Sequence, residues 1–453
     1  MRRKRTISVL ILTIVIVASL TTFSVLEGIT RMYLPEEHQP FIVKSTNFVV
    51  DPIFQKQYDI IDAGNITQRC KKYGFPYKND PRNPQNERRM FFGAMVADES
   101  YDVIRMHATE IYGLYDVVVL VESERTHTDS PRTMRYTPGT PGHDLIHSGI
   151  FGPNSTTRVY LDVFTGNAFG AFGMAFEEIQ REQILKRWKE AGMEENDVGV
   201  MADIDETMTR DFLLAGKQCD IPAFRPGQDC RRPRINAFAL VFEGSPECVA
   251  NDLWFHPDFM IGECIKYIGN PRGRPTPVRQ FKGVHGERVF GWGGNHSSDY
   301  PADVIKNGSY PLANAADMRT GVENYALHGV KFVVAAYHFH NFFESTYELR
   351  HKYGTYGHFE FRVWKMTLSQ IHADDVDMLV RCARDLPNSA NPASKTRYEG
   401  GLDSYTGPKP IFFLNETYRR QRHAQVKLMI DEDEKQYGSK YSTGHPQPTS
   451  VRW

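Results

Sequence analysis

The triplet Asp203-Ile204-Asp205 is the sharpest chemical signal in the chain. In an extended backbone, residues i and i+2 point to one side, so both carboxylates are expected to face one cavity. Two hard oxygen donors side by side suit Mg²⁺ or Mn²⁺. Such an ion could bridge a diphosphate and neutralise charge as a leaving group departs. The same triplet can also be a solvated turn or a helix cap. Its place directly after an apolar run, with Glu206 adjoining, favours the metal.

Further residues could complete such a site. His338 and His340 share a side by the same period of two, and a neutral imidazole is a good ligand for Mn²⁺ or Zn²⁺. Each could equally be a hydrogen-bonded core or surface histidine. His338 is the candidate third ligand, because it is expected to end a later strand of the same sheet. Glu122, Ser123, Arg125 and Thr126 follow another apolar run and could hold a base and ribose, or form a solvated loop. Arg181 and Arg187 could grip phosphate bidentately, or lie on a solvated helix face. Glu206, Asp258 and Glu263 are the candidate general bases.

The elements that must position these residues are legible as patterns. Asp116–Val121 and Val198–Ala202 are continuous apolar runs, as expected of strands buried on both faces of a sheet. Val330–Ala336 is a third, running into Tyr337-His338-Phe339-His340. Between the first two, Phe176–Ala191 carries an apolar stripe through Ile179, Ile184, Leu185 and Trp188 and stops at Gly192. Strands alternating with helices predict an α/β sheet, whose ligands collect at the carboxyl ends of the strands.

The ends of the chain read differently. Ile7–Leu26 is an uncharged run of twenty residues, preceded by Arg2, Arg3, Lys4 and Arg5 and followed by Glu27. A helix of that length spans roughly 30 Å, enough for a bilayer core. The flanking charge predicts a cytosolic tail over 1–6, a signal anchor over 7–26 and the remainder in the lumen. Residues 27–87 read as a stem, 88–385 as the catalytic domain and 386–453 as a polar C-terminal extension containing a helix-like run from Arg419 to Gln436. Five sequons, at Asn65, Asn154, Asn295, Asn307 and Asn415, fit a lumenal surface. All six cysteines lie beyond the anchor without a CxxC pair, so disulfides are expected, with local bridges in the Cys219–Cys264 cluster. With 54 Lys+Arg against 55 Asp+Glu, charge makes no case for a nucleic-acid partner.

Four stretches together resemble glycosyltransferase family 17. They are Phe91-Phe92 through Ile111; Asp116–His127, similar to a D-x-hydrophobic-V-x-V-E-S-x-x-T strand and loop; Gln180–Gln183 with Asp197–Glu206, similar to an R-E helix and D-x-D-E strand end; and Tyr337-His338-Phe339, similar to a G-W-H segment, with Tyr in place of Trp. The resemblance covers about residues 88–360. It has no counterpart for the insert Pro222–Pro233 or the Gly- and Pro-rich stretch from Glu263 to Asn324. It implies a GT-A-like α/β domain behind the N-terminal transmembrane helix, in a single-pass type II Golgi membrane protein. The implied reaction is inverting transfer of N-acetylglucosamine from UDP-GlcNAc, with Mn²⁺, to an N-glycan or other glycoprotein acceptor. It also implies that Asp205 contacts the metal while Asp203 holds the ribose or a metal-bound water. The alternatives are another donor sugar, such as UDP-galactose or GDP-mannose, or a membrane-tethered glycan-binding protein without catalysis.

Overall fold

The computed structural model describes residues 48–76, 88–165, 174–224, 235–254, 256–265, 279–282, 288–291, 334–356, 359–372, 375–386 and 401–441. Residues 1–47, with the predicted anchor, lie outside the described residues. Among the described residues no helix is long and apolar enough to cross a membrane.

Two helices open the described chain, α1 (Pro52–Asp62) and α2 (Ile66–Tyr73). An alternating stretch follows: β1 (Met90–Val96), α3 (Tyr101–Ile111), β2 (Val117–Ser123), α4 (Pro141–His147), β3 (Arg158–Phe164), α5 (Met174–Glu190) and β4 (Val198–Asp203). Then come β5 (Glu206–Met208), α6 (Arg210–Gln218), β6 (Ile235–Asn236), β7 (Phe238–Glu243), β8 (Val249–Trp254), β9 (Asp258–Ile261) and the hairpin β10 (Arg279–Lys282) and β11 (Arg288–Gly291). The last elements are β12 (Val334–His340), α7 (Thr346–Thr355), α8 (Leu368–Ile371), α9 (Asp375–Ala383) and α10 (Glu416–Tyr437).

The main sheet has the order β3-β2-β1-β4-β9-β6, with β1 to β4 parallel and β9 antiparallel to both β4 and β6. The chain moves outward from β1 to β3, then returns through α5 to place β4 on the other side of β1. That reversal is a topological switch point, where open α/β sheets leave a crevice at the carboxyl ends of their strands. Asp203 ends β4 at this crevice, beside the end of β1. As the apolar run predicts, every residue of β2 is buried.

Helix α5 lies unusually close to the sheet, because β1 and β4 each place a glycine under it. A Cβ on Gly199 would sit 2.3 Å from the Trp188 ring, and one on Gly93 would sit 2.0 Å from Ile184. Trp188 is fully buried and donates its indole N–H to the Phe92 carbonyl at 3.0 Å. Gly199→Ala is therefore expected to lower stability by about 1–3 kcal/mol through overpacking. Thermal melting would check this, and an unchanged Tm would mean that α5 can lift freely.

A second sheet, β5-β12-β7-β8, corrects one expectation. His338 belongs to β12 of this sheet and does not end a strand of the sheet that carries Asp203. The strand begins at Val334, and both histidines lie inside it. The two sheets are joined by the turn after β4. Glu206 in β5 pairs with His338 in β12, and Phe339 donates its N–H to the Asp205 carbonyl at 2.7 Å.

Part of the segment read as stem is built into the domain. The Tyr58 hydroxyl donates to the Thr109 carbonyl at 2.7 Å, Arg69 pairs with Asp211 at 2.8 Å, and Tyr73 packs on Phe212. The C-terminal segment does likewise. Val426 and Ile430 of α10 join a second apolar core with Phe343, Leu349, Val376 and Leu379. Among the described residues the disulfides are long-range, Cys70–Cys219 and Cys248–Cys382, so Cys219 and Cys248 bond outside the cluster in which local bridges were expected. Cys230 and the Cys264 side chain lie outside the described residues.

Candidate active site

The chain turns at Ile204-Asp205, directly after β4, so the two aspartates engage different partners. Asp205 is buried, and its carboxylate lies 3.5 Å from His338 Nε2. Burial works to raise the Asp205 pKa, but the neighbouring His338 outweighs it and holds the carboxyl below its usual range. Burial likewise works to lower His338, and Asp205, Glu206 and Glu243 outweigh it and push it up. His338 Nδ1 is buried with no hydrogen-bond partner among the described residues.

Asp203 is more exposed and accepts from Arg181 Nη2 at 2.6 Å. Arg181 is buried and also donates to Glu177 from the preceding turn of α5. Its Nη1 is buried without a partner among the described residues. A guanidinium N–H held beside Asp203 with nothing to donate to is what an anionic or hydroxylated ligand would satisfy. His127 Nδ1 is similarly unpartnered, 4.0 Å from Glu177.

Other predicted residues have structural partners. Both Glu206 oxygens are occupied, one by the Asp203 N–H at 2.9 Å and one by Trp254 Nε1 at 2.6 Å, and the side chain is fully buried. Glu206 therefore fixes the turn and is not placed to take an acceptor proton. Asp258 is fully buried against His256 at 2.6 Å, and the Glu263 side chain lies outside the described residues. Glu122 turns inward and accepts from the N–H groups of Arg135 and Tyr136 at 2.5 and 3.1 Å. Ser123 accepts from Arg125 N–H, and Thr126 Oγ1 accepts from Ser130 N–H, both at 3.2 Å. Arg125 donates to the Asp129 carbonyl at 3.0 Å. This group folds its own loop. Arg187 forks onto Asp162 of β3 at 2.7 and 3.0 Å, away from Asp203.

A three-ligand set of Asp203, Asp205 and His338 is not what the structure assembles. Among the described residues, the groups of three whose ligand atoms converge within 4.8 Å are Glu243, His340 and Asp375, and Cys248, Cys382 and His423. The second group contains a disulfide, so its sulfurs are not thiolates. In the first, Glu243 is bonded through one oxygen to His340 Nδ1 at 2.5 Å and through the other to Asn341 at 3.0 Å. Burial pushes Glu243 up and His340 down, which favours a neutral hydrogen-bonded network. Asp205 and His338 remain the donor pair that fits a divalent ion whose other positions are filled by substrate phosphates.

Residues 3–225 match the sequence model of glycosyltransferase family 17. These residues form a family 17 domain, and the chain is a glycosyltransferase. No curated protein matches it. The mixed α/β sheets fit a glycosyltransferase, and the match takes in β1 to β5 with Arg181, Asp203 and Asp205.

Three residues near the site of this glycosyltransferase lie beyond the match: His338, Trp254 and Lys352. Trp254 stays 40% exposed, with its ring centred 5.3 Å from that of His338. The sequence offers no periodic signal for it, because its place beside His338 follows from β8 lying on the far side of β7 from β12 in the second sheet. Lys352 on α7 acts electrostatically on both Asp205 and His340. Glu99, half-buried just past β1, is lifted to about 7 by burial first and then by the charge of Asp205.

Proposed function

We propose that this enzyme transfers N-acetylglucosamine from UDP-GlcNAc to a hydroxyl of an N-glycan with inversion, in a GT-A-like domain. The observation that carries the reading is the meeting of the Asp205–His338 pair with the Arg181–Asp203 pair at the switch point of the sheet. Asp205 and His338 would hold the Mn²⁺, and Asp203 would face the ribose or a metal-bound water. A bound ion there would neutralise charge on the departing UDP. Arg181, held rigidly by Glu177 and Asp203, would present its unpartnered Nη1 to a donor oxygen. Trp254, fixed through its indole N–H to Glu206, would offer an open aromatic face to the base or sugar.

The test is turnover of the full chain with each UDP- and GDP-sugar against N-glycan acceptors, with and without Mn²⁺. Metal-dependent transfer from UDP-GlcNAc is the expected result. Transfer from UDP-galactose or GDP-mannose instead would replace the donor, and transfer indifferent to chelation would remove the metal.

The same proposal places residues 7–26 in the Golgi membrane as a type II anchor and the domain in the lumen. Asn65 and Asn154 are exposed, so their sequons are accessible. Asn65 and Asn415 each cap a helix, and Asn295 and Asn307 lie outside the described residues. Protein made in a eukaryotic secretory pathway is expected to shift in mobility on glycosidase treatment, with Asn154→Gln removing part of the shift. No shift at all would overturn the lumenal placement.

A further inference from the structure

A glycosyltransferase must also hold its acceptor, and the residues around Asp205 do not supply an obvious surface for one. The rim of the second core does. Tyr347 on α7 is 64% exposed, Phe361 52% and Trp364 39%. Tyr347 and Trp364 are packed together with ring centroids 5.3 Å apart, and Phe361 packs separately on Phe359 at 4.7 Å. Scattered exposed apolar residues need no explanation, but two large exposed rings packed on each other do.

The group is tied to the candidate active site by α7. Tyr347 stacks on His351 one turn later, and His351 Nδ1 lies 3.3 Å from Asp98, just past the end of β1. Lys352, the next residue, acts on Asp205. Five residues of helix separate Tyr347 from Lys352, about 7.5 Å along the axis. That is about the span of one or two sugar rings. Most charges flanking the aromatics are paired, Arg362 with Glu360 at 2.8 Å and Arg135 with Glu344 at 3.1 Å, with Lys365 exposed beside Trp364. Such a rim has little net field to attract an anionic polymer or an anionic membrane. It suits a neutral ligand with an apolar face and a hydroxylated edge, which is the shape of a pyranose.

We propose that Tyr347 and Trp364 form an acceptor platform, on which a sugar ring of the glycan stacks while a neighbouring ring is glycosylated. The proposal rests on the glycan-modifying reading above, and it concerns only the acceptor side.

The full chain would be assayed with UDP-GlcNAc and a fluorescent GlcNAc-terminated biantennary N-glycan, and direct binding of that glycan would be followed by anisotropy. Trp364→Ala and Tyr347→Ala are each expected to weaken glycan binding and raise its KM about tenfold. KM for UDP-GlcNAc should hold, and Trp364→Phe should recover most of the loss. Anisotropy decides the platform even if transfer from UDP-GlcNAc fails, so the two readings fail separately. Glycan binding by the double alanine variant equal to wild type, or no glycan binding by wild type, would overturn the proposal. So would sedimentation showing that the alanine variants split a dimer while glycan KM is unchanged, because the patch would then be a contact between copies.

Discussion

Asp205→Asn is expected to fold normally and to turn over on the order of a hundredfold more slowly, or worse. The substitution keeps shape and leaves the Asp205 carbonyl free to accept from Phe339. It removes the one buried carboxylate in contact with His338. Without that charge His338 loses a main cause of its raised pKa and can shed its proton, so the cost in stability is limited. The cost in rate is not, because in the proposed role a divalent ion would lose its charged protein ligand. Raised Mn²⁺ should recover part of the activity. Turnover at the wild-type rate without added Mn²⁺, in a variant that melts normally, would remove Asp205 from the reaction.

The largest stability effect is expected at Arg350, on α7. Its guanidinium forks onto Asp433 of α10 at 2.8 and 2.7 Å, and both side chains are essentially unexposed. It also donates to the carbonyls of Val363 and Met366. Arg350→Met leaves Asp433 charged, buried and unpaired, which should cost about 3–5 kcal/mol. The double variant Arg350→Met/Asp433→Leu removes both charges and should recover much of that loss. Chemical denaturation of wild type, the double variant and both single variants, Arg350→Met and Asp433→Leu, gives the coupling directly. A double variant no more stable than Arg350→Met alone would show that the carbonyl contacts, and not the ion pair, hold α10.

The parts of the site that were legible in the sequence are those set by local pattern. Val198–Ala202 is a continuous apolar run, so the strand and the aspartates at its end could be placed, and the apolar stripe around Trp188 marked α5. Arg181 was recognisable as a phosphate-type residue on that helix, though its grip on Asp203 was not. What pattern does not encode is pairing. His338 was expected in the main sheet, because nothing in its strand says that β5 and β7 are its neighbours. Glu122 looked like a ligand-binding carboxylate because it ends a buried strand, yet the loop at Arg135-Tyr136, distant in sequence, folds back and claims it. Residues 48–76 lack a sustained period and read as a stem. Their helices are short and held by long-range contacts such as Arg69 with Asp211 and Cys70 with Cys219, which no local rule reveals.

The Cys70–Cys219 bridge bears on where this protein can be cut. A fragment begun at residue 88, where the apolar body starts, would discard Cys70 and leave Cys219 as a buried odd thiol. It would also strip Tyr73 from Phe212 and Arg69 from Asp211, opening the flank of α6, the helix that directly follows the Asp203–Met208 turn. An inactive fragment of that kind would say nothing about catalysis. A fragment begun at Phe48 keeps the bridge and both helices that carry these contacts, so a negative assay on it would carry meaning.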